Sequence, residues 1–265
     1  MKISKYNSFY YEAEFSASAT AYFNQVTTNG GSLTNAEKTY INTFIGALGT
    51  DFAEFDRLWI HGLSNSVAAR TSLANPTSTM ITAVNSPTFT ASQGYTGNGT
   101  SSYLNTNFIP NTNGVKYTLN SASAGIYLRN INVGTVTDLG SNQTSISSFF
   151  QIFADRGASA EVYINDGGTS TGGAITNAKG LTVGQRTASN VQKLIKNGTV
   201  ITTNASVSIA LSALNVYLLC RNNNGVAQLY SVNQMAMSFI GSGVINQSTL
   251  YTATQALGTS IGWAV

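Results

Sequence analysis

The sequence predicts a mainly β protein, a two-sheet sandwich or jelly roll preceded by a small helical unit. Three observations carry this expectation. From Thr88 onward the chain falls into short apolar or β-branched runs separated by turn residues. Asn197-Gly198 joins two such runs in QKLIKNGTVITT. Asn-Gly is the strongest short-range hairpin signal, because both turn positions need positive φ. Ahead of Thr88, the segment from Thr34 to Leu48 instead repeats apolar residues at helical spacing.

Residues 1–30 carry a dense aromatic set: Tyr6, Phe9, Tyr10, Tyr11, Phe15, Tyr22 and Phe23. Neither a period of 2 nor one of 3.6 fits throughout. Two readings stand side by side. The segment is an extended N-terminal arm that docks on a partner, with Tyr10, Tyr11, Phe15, Tyr22 and Phe23 as assembly residues, or it packs on its own domain.

Residues 31–86 form the expected helical unit. Thr34-x-x-Glu37 is a capping box. Tyr40, Ile41, Phe44, Ile45 and Leu48 then share one apolar face, and Gly49 stands where a helix stop belongs. Asp51 caps an expected second short helix through Phe52, Phe55 and Asp56, leading to the apolar run Leu58 to Ile60. A third is expected from Asn65 to Leu73, ended by Asn75-Pro76.

Residues 87–265 supply the sandwich. Strands are expected around Phe89, Tyr103-Leu104 and Phe108-Ile109, and at Val115 to Leu119, Gly125 to Arg129, Phe149 to Phe153, Ala160 to Ile164 and Gly180 to Gln185. Gly167 to Gly173 reads as a flexible loop tip. The Asn-Gly hairpin sets Ile195 opposite Val200 and Leu194 opposite Ile201. LNVYLLCRN and VAQLYSVNQMAMSFIG read as two more strands. Leu250, Thr254, Leu257 and Ile261 then recur at the spacing of a closing helix.

Charge is scarce: Asp, Glu, Lys and Arg make up 9% of the chain, against about 25% in an average soluble protein. Asn, Ser, Thr and Gly take their place. Neutral hydrogen-bonding surface suits a chain covered by neighbours in an assembly, because buried charge is costly. It equally suits an exposed lectin-like surface. Net charge is +3 with no Lys/Arg run, which gives nucleic-acid binding no support. The single cysteine, Cys220, rules out an intrachain disulfide and lies in an apolar run. No apolar stretch reaches membrane-spanning length, and MKISKYNSFYYEAEF has no apolar core of a signal peptide. The expectation is a protein that folds in the cytoplasm where it is made.

Three stretches together resemble a known family. FTASQGYTGNGTSSYLNTNFIP, QKLIKNGTVITT and the closing LYTATQALGTSIG are similar to the laminin-G-like, or concanavalin-like, jelly roll over roughly Pro87 to Val265. In this version they look most like bacteriophage virion proteins of the tail and head-fibre kind. The resemblance implies a structural component of a phage virion, assembled in the host bacterial cytoplasm against capsid or tail proteins. A homo-oligomer, trimer or dimer, is expected, since unguarded sandwich edges need covering. The alternative is a carbohydrate- or receptor-binding module that takes a host surface glycan. A glycoside hydrolase on the same fold is a third reading.

The residues argue against catalysis. His61 is the only histidine, so neither a Ser-His-Asp triad with a later histidine nor a multi-His metal site can form. Two stretches match G-x-S-x-G, Gly168 to Gly172 and Gly258 to Gly262, one in a glycine loop and one ending a helix, whereas the motif needs a strand-to-helix elbow. Glycosidases resembling laminarinases pair carboxylates two apart on one strand. Here Glu161 and Asp166 are five apart, and Gly157 interrupts the run from Asp155 to Glu161. Asp138, Asp155 and Asp166 are loop acids without the clustering calcium requires. The expectation is therefore no enzyme, no cofactor and no metal. Tyr95, Tyr127, Tyr163 and Tyr230 are the candidates for stacking on sugar rings.

Overall fold

The computed structural model describes residues 14–130, 134 and 136–265. Helices α1 (Ala17–Thr28) and α2 (Asn35–Leu48) come first. Strands β1 (Phe55–Ile60), β2 (Thr82–Val84), β3 (Thr88–Thr90), β4 (Gly94–Thr96) and β5 (Tyr103–Asn105) follow, then the single turn α3 (Pro110–Asn113). The middle of the chain is β6 (Ala122–Asn130), β7 (Leu139–Gln143), β8 (Ser148–Phe153), β9 (Ser159–Asp166), β10 (Thr171–Ala174) and β11 (Gly180–Ala188). It continues through β12 (Val191–Lys196), β13 (Thr199–Asn204), β14 (Tyr217–Leu218), β15 (Arg221–Asn223), β16 (Val226–Gln228) and β17 (Gln234–Gly241) to α4 (Gln247–Ile261).

These strands make two sheets. An eight-stranded sheet runs β13-β12-β11-β6-β17-β4-β3, with β1 also paired to β17. A nine-stranded sheet runs β10-β9-β8-β7-β14-β5-β2, with β15 against β7 and β16 against β15. The expected mainly β jelly-roll sandwich is the fold observed. Apolar residues alternate along its strands, and one set meets between the sheets: Leu104, Ile126, Leu139, Ile152, Val162, Leu218 and Ile240. A second core lies on the far side of the eight-stranded sheet. There Tyr22, Ile41, Phe44, Leu250 and Leu257 of the helices meet Tyr127, Leu181, Val183, Met237 and Phe239 of the strands. The molecule thus has three layers: helices, eight-stranded sheet, nine-stranded sheet.

Local chemistry sets the helices. The Thr34 hydroxyl accepts from Glu37 N–H, and Glu37 Oε2 accepts from Thr34 N–H at 2.9 Å, completing the capping box. Glu37 Oε1 also accepts from Ser64 N–H at 2.7 Å, tying the helix to the chain beyond β1. Asn246 caps α4 through Ser248 and Thr249 N–H, and Gly262 ends it at φ 104°.

Several expectations need correction. Residues 17–28 are a helix capped by Ser16, not an extended arm. Its Tyr22 is fully buried and donates to the Ala68 carbonyl at 2.8 Å; Phe23 is buried beside it. Packing on the own domain is the reading that holds for these two. Residues 31–86 have no core of their own, because β1 pairs β17 and Phe55, Leu58 and Ile60 join the helix-side cluster. The second helix is a 3-10 segment, Gly49–Glu54, and the third shrinks to one 3-10 turn, Ala68–Arg70, opened by Asn65 Oδ1 accepting from Val67 and Ala68 N–H.

Val115 to Leu119 is not a strand. The buried Asp56 carboxylate accepts the N–H groups of Val115, Lys116 and Tyr117, at 2.7 Å for Tyr117, and this clamp replaces a ladder. In the Asn-Gly hairpin Ile195 does face Val200. A bulge then sets Leu194 opposite Thr202 instead of Ile201. LNVYLLCRN and VAQLYSVNQMAMSFIG each break in two, where Leu219 and Leu229 take positive φ of 64° and 54°.

Candidate functional site

The two sheets differ in what covers their outer faces. Helices bury the outer face of the eight-stranded sheet, and none of α1, α2 and α4 contributes to the core on the other side. The outer face of the nine-stranded sheet is where aromatic and amide side chains come together. Its registers define one row across five strands: Asn105, Tyr217, Gly140, Gln151, Tyr163. The next row points inward and consists of Leu104, Leu218, Leu139, Ile152 and Val162, all fully buried. Period-2 alternation therefore fixes which side chains the outer face carries, with Gly140 and Gln151 at its centre buried under neighbouring side chains.

Aromatic rings gather at both ends of the row. At one end Tyr103 and Tyr217 have ring centroids 4.5 Å apart, tilted by 34°, and Tyr230 lies 6.4 Å from Tyr103. All three are half-buried. Burial, then the neighbouring Tyr217 and Cys220, pushes the Tyr103 phenol up to about 12. Burial, Cys220 and Tyr103 push Tyr230 up as well. Both therefore stay neutral, able to donate and accept. At the other end Tyr163 packs between Phe149 at 6.2 Å and Phe153 at 6.1 Å. Arg156 lies over the Phe153 ring at 5.0 Å and pairs with Glu161 at 2.7 Å.

Between the two ends the row is hollowed at Gly140. A Cβ there would stand 2.9 Å from Arg221 Cβ and 3.2 Å from Gln151 Cβ, so the missing side chain is what lets the Arg221 stem cross the face. Arg221 Nη2 donates to Gln228 Oε1 at 3.2 Å across the β15–β16 pair. Its Nε is buried without a partner.

The residues singled out from sequence divide sharply. Tyr163 and Tyr230 lie on this face. Tyr95 and Tyr127 do not: both are buried, donating to Ser66 and Val265 carbonyls at 3.2 Å. Tyr103, Tyr217, Gly140 and Arg221 were missed. The alternation in SYLN and VYLL was the available signal for the two tyrosines; nothing local marks the other two. Phe15 rests edge-on against Phe23 at 5.2 Å on the helix side, with Tyr22 and Phe23 in that core. Tyr10 and Tyr11 fall outside the described residues.

Of the groups weighed for catalysis, His61 is buried between the Ala69 carbonyl at 3.0 Å and Ser238 Oγ at 2.8 Å. The carbonyl needs a donor, so Nδ1 carries the proton and Nε2 accepts from Ser238. Burial lowers its pKa to about 4. Cys220 is buried and free, and burial pushes its thiol up. Glu161 belongs to the outer face, while Asp166 is fully buried, pushed up to about 6 by that burial. Asp138 accepts from Ser231 Oγ and Asn233 Nδ2, both at 2.8 Å, and Asp155 Oδ1 caps a turn through Gly157 N–H. Among the described residues no three His, Cys, Asp or Glu side chains group as metal ligands. Gly168 to Gly172 leads into edge strand β10 and Gly258 to Gly262 is the last turn of α4; neither is an elbow.

No family model matches this chain, and no curated protein matches it. Solved structures do. The receptor-binding domain of botulinum neurotoxin C/D mosaic serotype is 10% identical, with a TM-score of 0.54 over 78% of this chain and 55% of that one. The botulinum neurotoxin serotype D ligand-binding domain in complex with N-acetylneuraminic acid is 11% identical, with a TM-score of 0.51 over 78% and 52%. The chain spans about half the length of these solved structures. At this identity the likeness is one of fold alone: a two-sheet, jelly-roll-like sandwich.

Proposed function

We propose that the chain is a non-catalytic glycan-binding module and that the outer face of the nine-stranded sheet is its binding face. The observation that carries this is the row Asn105, Tyr217, Gly140, Gln151, Tyr163, with half-buried tyrosines toward both ends, the Gln151 amide between them and the Asn105 amide beyond Tyr217. Sugars present C–H faces that stack on aromatic rings and hydroxyls that pair with neutral donors and acceptors. Tyrosine and amides offer both with little rotamer entropy to lose. The solved toxin domains of similar fold, one of them holding N-acetylneuraminic acid, agree with this reading. Because the sequence resembles tail and head-fibre proteins, the proposal includes a place for the module on a phage particle, among virion partners and facing a host surface. Catalysis is no part of the proposal: Glu161 is engaged by Arg156, and Asp166 is enclosed away from the face.

A glycan array probed with the purified chain tests the proposal. Specific oligosaccharide binding is expected, with Tyr217→Ala weakening it at least tenfold while the melting temperature stays within a few degrees of wild type. Binding to no glycan, or binding indifferent to Tyr217, contradicts the proposal.

A further inference from the structure

Resting on the glycan-binding reading, we infer that the ligand is a carboxylate-bearing glycan, sialylated or uronate-containing, whose acid group is received by Arg221. Arg221 is short of partners. Among the described residues two ion pairs occur, Lys116–Glu54 and Arg156–Glu161, and Arg221 is in neither. Two other arginines are spent on the fold, and Arg57, whose Nε also lacks a partner, is buried over the Phe108 ring at 5.3 Å. Arg186 is enclosed and donates to the carbonyls of Ile164, Ser189 and Ser206 at 2.7–2.9 Å. Arg129 donates to the Trp263 carbonyl and to Gln234 Oε1. A guanidinium has five N–H donors. Among the described residues Arg221 makes one such bond, to Gln228, and its Nε is buried with none.

Its place on the face matters as much. The stem lies over Gly140, in the middle of the cross-strand row, with Tyr217 on one side and Gln151 and Tyr163 on the other. Strands are spaced by about 4.8 Å, so the two tyrosine positions stand about 14 Å apart, room for a short oligosaccharide with Arg221 at its centre. Partial burial weakens hydration of the cation, lowering its pKa while leaving it charged, and so strengthens its pull on an anion. Gln228 and the stem's bed at Gly140 hold the planar fork in position. A carboxylate matches that fork with two parallel hydrogen bonds, and a neutral sugar hydroxyl does not. Glu161, the acid on the same face, is occupied by Arg156 at 2.7 Å and does not compete for Arg221.

The test uses the whole chain on an array of neutral, sialylated, uronate-containing and sulfated oligosaccharides. Calorimetry then compares each hit as free acid and as its carboxyl methyl ester. The free acid is expected to bind about 10–100-fold more tightly than its ester, as for a charge-assisted pair. Arg221→Gln should erase that difference between acid and ester, whatever it does to the affinity for either; Arg221→Lys should restore part of it. Whether sialylated or uronate sugars lead the array identifies the source of the acid group. Equal binding of acid and ester, or hits confined to neutral or sulfated sugars, overturns the inference and leaves the glycan-binding proposal standing. No binding to any sugar overturns both. If Arg221→Gln does not fold, the acid-to-ester ratio of the wild-type chain and the Arg221→Lys variant still decide.

Discussion

The two outer faces of the sandwich obey the same alternation and end in opposite surroundings. On the eight-stranded sheet the outward residues include Tyr127, Leu181, Val183, Met237 and Phe239, sealed by three helices. On the nine-stranded sheet they are the half-buried Tyr103, Tyr217 and Tyr163 and the buried Gln151, with Arg221 and Thr137 close over Gly140. Aliphatic side chains and phenylalanine want full cover, and the helices supply it. Tyrosine, glutamine and arginine combine apolar bodies with polar tips and suit a face that is wet until a ligand arrives. One face thus carries stability, and the other is the face to which the proposal assigns recognition.

The comparison can be broken most forcefully on the covered side. Phe239 is fully buried, edge-on to Phe55 at 5.3 Å. Phe239→Ala should cost about 3–5 kcal/mol, read from urea unfolding, while any folded fraction keeps its sugar affinity. Tyr217→Ala should show the reverse pattern. If both variants lose stability alike, the two faces do not divide the work.

A second effect, of similar kind but tunable by pH, belongs to His61, just after β1, where its ring lies against Trp59 and Tyr95 of the core between the sheets. Its folded pKa of about 4 lies below the ordinary 6.5. The unfolded chain then binds the proton first, and stability falls as pH drops from 6.5 to 4. The 2.5-unit gap corresponds to about 3 kcal/mol at full extent. Asp166 acts in the opposite sense: its folded pKa of about 6 exceeds the ordinary 3.8, so its contribution is present below pH 3.8 and lost as pH rises through 6. His61→Gln, which can keep both hydrogen bonds, should therefore become more stable relative to wild type as pH falls from 6.5 to 4. Parallel unfolding curves for the two proteins over that range would remove His61 from the account.

How far the sequence showed this division depends on the range of the interactions. The capping box at Thr34 and Glu37, the Asn197-Gly198 turn and the spacing of α4 are contacts within a few residues, and all are present. The sandwich followed from period-2 runs in the same way. The clamp of Asp56 on residues 115–117 joins positions about 60 apart, so Val115 to Leu119 looked like a strand when it is a held loop. Helix α1 was obscured because ASATAYFNQVTT sets its four buried residues among small polar ones. The face was half legible. Tyr163 and Tyr230 were among the candidates, but the Arg221–Gly140 crossing depends on a turn at Leu219 that no local pattern announces.

The smallest effect concerns the edge between the faces. β13 is a six-residue edge strand, TVITTN, with no charge and with Val200 and Ile201 exposed, whereas the opposite edge strands β2 and β3 have three residues each. Long uncharged edges pair with other strands, so this edge is where the homo-oligomer expected from unguarded sandwich edges can be tested. Ile201→Lys should change stability by no more than about 0.5 kcal/mol yet shift sedimentation toward monomer. A wild-type chain that sediments as monomer at all concentrations contradicts this.

The division of labour between the faces is tested most directly by hydrogen exchange with and without a bound oligosaccharide from the array. The account predicts added protection in β5, β7, β8 and β14 and at Arg221, with α2 and α4 unchanged. Protection confined to the helical layer, or spread evenly over the molecule, would contradict it.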